Sequence, residues 1–267
     1  MIELSRTIRF CLNDAPSALP GRHNTFSAWP AMEGLGRYYE LEVICRGEVD
    51  PRTGYFLNIK RIDEAVREHV LPELAQQVRA GGTGSQAALG ELMRQIVRQL
   101  RAPLDGAVAR VMLHLTPRYR LEIGSDAMDE VVIRQQFEFS AAHRLHVPER
   151  SEAENRELFG KCNNPAGHGH NYQLEVAVRV PIGGRGEVLP VAKLDRAVDE
   201  AVIDRLDHTH LNHDVPEFED LNPSVENLAK VIWQMLERPV ADLVPGAAME
   251  EVCVRETQKT MCCYRGA

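Results

Sequence analysis

Several things are scarce in these 267 residues. Aromatics make up 6% of the chain, with two tryptophans, and there are six cysteines. The cysteines, at 11, 45, 162, 253, 262 and 263, are too thinly spread for the disulfide framework of a small secreted domain. Neighbours Cys262 and Cys263 would face opposite sides of a strand, so they are not expected to pair with each other. Positive charge is in deficit: 31 Lys and Arg against 39 Asp and Glu give a net charge of −8, which argues against nonspecific nucleic-acid binding. No run approaches the roughly 18–20 apolar residues that span a bilayer. Residues 1–10 contain no continuous apolar core of a signal peptide. A reduced, cytoplasmic enzyme with no membrane partner is the expectation.

What is present is a balanced globular composition, 44% hydrophobic and 26% charged, long enough for two ordinary domains. Val131, Ile133, Phe137, Phe139 and Ala141 alternate with polar residues, as in a half-buried strand. A charged loop rich in Asn, Pro and Gly follows. Tyr172, Leu174, Val176 and Val178 alternate again. Val191, Leu194, Val198, Val202 and Leu206 fall at helical spacing, and so do Val225, Leu228, Ala229, Ile232 and Leu236 after Asn222-Pro-Ser224. Residues 250–257 and 260–265 read as two closing strands. The first half follows the same plan. Strands are expected at 2–12 and 39–43, helices over 62–74 and 89–100, and strands at 107–115 and 118–123. The predicted fold class is α+β: two tandem units, 1–124 and 131–267, each a four-stranded antiparallel sheet with two helices between its inner strands. The boundary falls near residue 127.

The chemistry concentrates in Leu158-Phe-Gly-Lys-Cys162-Asn-Asn-Pro-Ala-Gly-His168-Gly-His170-Asn-Tyr172. On a strand beginning there, His168 and His170 point the same way. A third histidine from a neighbouring strand, such as His143 in Phe139-Ser-Ala-Ala-His143, completes a three-nitrogen set with an open fourth position. That is the arrangement of a catalytic zinc rather than a structural one. Cys162 beside it is a candidate proton-transfer group.

These residues resemble the 6-pyruvoyltetrahydropterin synthase family. Further matches are Leu206-Asp207-His208-x-x-Leu-Asn212, Asn222-Pro-Ser-x-Glu226-Asn227 and Val254-Arg-Glu256-Thr257, so the resemblance covers residues 131–267. It implies the tunnelling fold, assembled as barrels, and hence a homo-oligomer with sites at subunit or copy interfaces. It implies Zn2+ on His143, His168 and His170, and a small-molecule substrate, 7,8-dihydroneopterin triphosphate, that loses triphosphate. It further implies a relay in which Asp207 orients His208 and His208 exchanges a proton with Cys162. Glu256 would accept the pterin ring's N–H groups; Glu226 would support either the site or only its own helix. His146, His23, His210 and His213 are expected to be bystanders, and Lys161 and Arg144 solvated surface charges.

A sister family, 6-carboxytetrahydropterin synthase of queuosine biosynthesis, shares most of these motifs. The six-residue step from Cys162 to His168 favours the pyruvoyl type. A non-catalytic pterin-binding scaffold and a merely structural zinc are the other readings. The first copy resembles the same fold without its site. Leu35 and Arg37 stand where His168 and His170 do, Asp14 or Pro30 where His143 does, and Leu115 where Glu256 does. Asp50-Pro-Arg-Thr-Gly-Tyr-Phe-Leu-Asn58 keeps a family turn that residues 183–192 lack.

Overall fold

The computed structural model describes residues 1–13, 26–79 and 89–266; Asp14 and His23 lie outside them. Helices and antiparallel strands form two compact units, one of residues 1–133 with 181–188, the other of 134–180 with 189–267.

In the first unit, β1 (Ile2–Leu12) and β2 (Arg37–Gly47) pair antiparallel, so that Ile8 and Phe10 face Leu41 and Tyr39. The chain then forms α1 (Ile59–Ala65), a π turn (Val66–Val70) and α2 (Leu71–Arg79), and next α3 (Leu89–Arg101). Asn58 starts α1 by accepting a hydrogen bond from the Lys60 amide, which satisfies an end donor that the helix cannot. Strands β3 (Val108–Thr116) and β4 (Tyr119–Gly124) complete the order β1-β2-β3-β4. Period two along the strands and 3.6 along the helices bury Val43, Val111, Leu121, Ile62, Val66, Met93, Ile96 and Leu100 together. Burial of this kind stabilises by about 1.5–3 kcal/mol per large side chain.

The turn 181–188 packs into this unit. The Gly90 amide donates to the Gly186 carbonyl, and a Cβ on Gly90 would stand 2.5 Å from Ile182. The segment expected to depart from the family turn, 183–192, thus includes Gly186, which packs on α3.

In the second unit, β5 (Glu130–His143), β6 (His168–Pro181), β8 (Ala248–Thr257) and β9 (Thr260–Tyr264) lie in that order, and the short β7 (Thr209–His210) pairs parallel with β5. The expected helix over 191–206 is interrupted: α5 (Val191–Val198) passes through a π turn (Asp199–Ile203) into α6 (Asp204–Leu206). After the short α7 (Leu211–Asp214), α8 (Val225–Ala241) is capped by Ser224, whose hydroxyl accepts from the Asn227 amide.

Two expectations are corrected. The segment read as loop after β5 contains a helix, α4 (Glu152–Phe159), whose start is a capping box between Ser151 and Glu154. Few of its residues are apolar, so periodicity gave no signal for it. The cysteines are not all thiols either: Cys253 and Cys263, directly opposite in the β8–β9 register, form a disulfide, while Cys11, Cys45, Cys162 and Cys262 are free.

Candidate metal and catalytic site

His143 is the last residue of β5 and His168 the first of β6. Alternation sets His143 on the face of Phe139 and Ala141, and puts His170 and Tyr172 on the face of His168. The three imidazoles meet there, with ring centroids 4.5, 5.2 and 4.9 Å apart. One nitrogen from each lies within 4.8 Å of the others. The His143 and His168 Nε2 atoms are 3.1 Å apart. A tetrahedral zinc with bonds of about 2.0–2.1 Å would space its ligand nitrogens roughly 3.3 Å apart, so this pair fits such an ion.

The surroundings favour the metal-binding form of these rings. His143 is 1% exposed, and its Nδ1 donates to the Pro223 carbonyl at 2.7 Å, which leaves the Nε2 lone pair free. Burial, together with the neighbouring histidines, pulls its pKa down to about 4, against the opposing pull of the Pro223 bond. His168 is also lowered, by burial and by His170. The His170 Nε2 and His168 Nδ1 atoms are buried without a hydrogen-bond partner among the described residues. Glu256, from β8, brings Oε1 to 3.4 Å from the His143 Nε2 and 3.6 Å from the His170 Nε2. Glu256 therefore lies at the histidine cluster itself.

Gly167 permits the turn into β6. Its φ is +72°, and a Cβ there would come within 2.6 Å of the His210 Nε2 and 3.2 Å of the His143 carbonyl.

Cys162 is half-buried in the 3-10 turn Gly160–Asn163, and its carbonyl accepts from the Leu145 amide. Asn163 anchors this turn by donating to the Leu145 carbonyl and to the His146 Nδ1. Asp207 and His208 form a pair, with Asp207 Oδ2 2.7 Å from His208 Nδ1. The other Asp207 oxygen accepts from the Ser140 amide, and these two bonds hold its carboxyl below the usual range. His208 has a φ of 59° and its side chain is 82% exposed. The pair is displayed outward, and no hydrogen bond joins His208 to Cys162 among the described residues.

A family model described as 6-pyruvoyl tetrahydropterin synthase matches residues 132–267. The chain belongs to the 6-pyruvoyl tetrahydropterin synthase family. A Drosophila melanogaster 6-pyruvoyl tetrahydrobiopterin synthase is 46% identical over 129 residues, covering 48% of this chain and 75% of that protein. The Homo sapiens protein of the same description is 40% identical over 135 residues, covering 50% and 90%. A solved Caenorhabditis elegans 6-pyruvoyl tetrahydropterin synthase superposes at a TM-score of 0.48 and 36% identity, covering 52% of this chain and 96% of that one.

His143, Cys162, His168, His170, Asp207, His208 and Glu256 all lie in the second unit, as do both groups of three metal-capable side chains among the described residues. The other group, Glu251, Cys253 and Cys263, is committed elsewhere: the sulfurs are bonded to each other, and Arg134 and Arg265 each pair with a Glu251 oxygen. In the first unit Asn13 is buried just past β1, donating to the Ala31 carbonyl and accepting from the Glu33 amide.

The bystanders divide. His146 accepts from Asn163, and the His210 and His213 rings lie 4.3 Å apart at a tilt of 32°. Arg144 is only partly solvated, since it donates to the Asn163 carbonyl and pairs with Glu152. The cavity of about 460 Å³ beside it also carries Glu149, Glu219 and Asp220, an excess of negative charge that disfavours a phosphate there. Glu226 and Lys161 are exposed. The Pro223 carbonyl was invisible to motif reading because it is backbone. Tyr172 could have been found from its period-two relation to His170.

Proposed function

We propose that this chain is a zinc-dependent lyase that acts on 7,8-dihydroneopterin triphosphate and eliminates triphosphate, yielding 6-pyruvoyltetrahydropterin. The observation that carries the reading is the convergence of three imidazole nitrogens within 4.8 Å, with the Glu256 carboxylate beside them, in the segment that matches the family. His143, His168 and His170 would hold the ion, and the depressed pKa values of His143 and His168 favour the neutral, metal-binding form of those two rings. Zinc bound there supplies Lewis acidity toward the oxygens of the substrate side chain.

The chain's own residues do the rest. Cys162 exchanges a proton with the substrate side chain. Asp207 orients His208 by holding its Nδ1, which leaves Nε2 to exchange that proton with a thiol. Because His208 points outward, its Cys162 partner belongs to another copy of the chain in a homo-oligomer. Glu256 accepts the N–H donors of the pterin ring, and its place at the histidine cluster sets that ring close to the metal. Residues 1–124 are a degenerate copy of 131–267, with Leu35, Arg37 and Leu115 where His168, His170 and Glu256 stand. Their role is assembly.

Zinc-loaded protein incubated with 7,8-dihydroneopterin triphosphate should release triphosphate, and mass spectrometry identifies the product. No release with zinc bound and the fold intact overturns the enzyme reading in favour of a pterin-binding scaffold. A 6-carboxy product with acetaldehyde would instead assign the queuosine-type reaction. Cys162→Ala should abolish turnover while zinc binding persists.

A further inference from the structure

We propose that Tyr172 is a positioning residue of this site, whose hydroxyl donates to the Glu256 carboxylate and holds it in place once the histidines are committed to a metal. This rests on the metal and pterin reading above. Four observations support it.

Tyr172 is 0% exposed, and its hydroxyl has no hydrogen-bond partner among the described residues. Buried hydroxyls are normally paired. The ring cannot swing to find a partner: it stacks on Phe139 at 5.0 Å and 18° and meets the edges of His170 at 5.5 Å and His143 at 6.3 Å.

Glu256 is the matching acceptor. The β6–β8 pairing ends at Gln173 opposite Arg255, and Tyr172 and Glu256 are the residues next beyond that pair on the two strands. Directly opposed side chains on an antiparallel pair are neighbours. Glu256 lies one residue from the end of β8 with its side chain 19% exposed, so it has room to adjust where Tyr172 does not.

The histidines make the need explicit. Glu256 now rests 3.4 and 3.6 Å from the His143 and His170 Nε2 atoms. A nitrogen that gives its lone pair to a metal carries no proton and cannot donate to a carboxylate. Tyr172 supplies an O–H on the same face with no competing acceptor assigned to it. The competing account is that Tyr172 only fills the core behind His170, its hydroxyl resting on a buried water.

Two measurements on the full-length, zinc-loaded protein decide the matter. A crystal structure should place the Tyr172 hydroxyl oxygen about 2.5–3.0 Å from a Glu256 oxygen; a separation beyond about 3.5 Å, or a water between them, overturns the proposal. Calorimetric titration with neopterin should then show Tyr172→Phe weakening affinity about tenfold or more, the scale of a lost hydrogen bond to a charged group. The melting temperature should be unchanged or higher. Glu256→Asp withdraws the carboxylate, so adding Tyr172→Phe to it should cost nothing further. Equal losses in both backgrounds, unchanged affinity in Tyr172→Phe, or a melting temperature lowered by several degrees would each contradict the role. Failure of the wild type to bind neopterin sinks the pterin reading, and the crystallographic distance still judges Tyr172 by itself.

Discussion

Replacing His143 by Gln should flatten the acid limb of this protein's stability, and the size of the effect follows from one buried ring. In the folded chain the His143 pKa lies at about 4 against an ordinary 6.5, because burial penalises the charged imidazolium. The unfolded chain therefore takes up a proton near pH 6.5 that the folded chain refuses until about pH 4. Between those values the unfolded state binds more protons, so stability falls as pH falls. The contribution is whole above pH 6.5 and gone below pH 4. Lowering the pH from 7 to 4.5 crosses most of that window and should cost the wild type roughly 2–3 kcal/mol, at about 1.4 kcal/mol per unit. His143→Gln cannot titrate and should escape that loss. The assay is denaturant unfolding of both proteins at pH 7 and 4.5 in a chelator, so that no metal competes with protons. The wild type should lose roughly 2–3 kcal/mol more than the variant over this interval. Equal pH dependence in the two proteins, or an NMR titration placing the folded His143 near 6.5, would refute the reasoning.

Three further outcomes are expected. His168→Ala should weaken zinc binding by more than the roughly 10–100-fold typical of a lost outer-shell partner, whereas His213→Ala should leave it unchanged, as read by competition with a chromophoric chelator. Asn155→Ala should destabilise by about 2–4 kcal/mol in thermal unfolding, because the wholly buried Asn155 side chain donates to the Val147, Arg150 and Ser151 carbonyls and accepts from the Val147 amide. Gly167→Ala should cost more than about 1 kcal/mol, since alanine is strained at a φ of +72° and its methyl meets His210; a melting curve matching the wild type would contradict this.

Much of the second unit could be read from the sequence because its signals are periodic. Alternation set the strands around His143 and His168, and one spacing of two residues predicted that His168 and His170 share a face. What escaped was local or non-periodic. Helix α4 is announced only by Ser151 and Glu154. The π turns within the α1–α2 and α5–α6 helices shift their registers without changing the apolar pattern. The Cys253–Cys263 bond depends on which residues β9 sets opposite β8, and no residue type fixes that register. Period two puts Glu256 on the face of Val252 and Val254; that it lies at the histidines follows only from how β8 lies beside β6. His208 is read as a partner of Cys162, and among the described residues its ring bonds Asp207 instead.

The turn 181–188 gives the chain an unusual order of completion. The first unit needs these residues, yet they are synthesised after β5 and β6, which belong mostly to the second. Until Gly186 leaves the ribosome, the Gly90 amide lacks that partner and Ile182 is not yet packed against Gly90. The 55 residues from 134 to 188 take about 3–11 s to translate at 5–20 residues per second. The amino-terminal unit thus waits, incompletely packed, for a piece of chain beyond the first metal histidine. A gene cut between residues 133 and 134 would make that wait permanent.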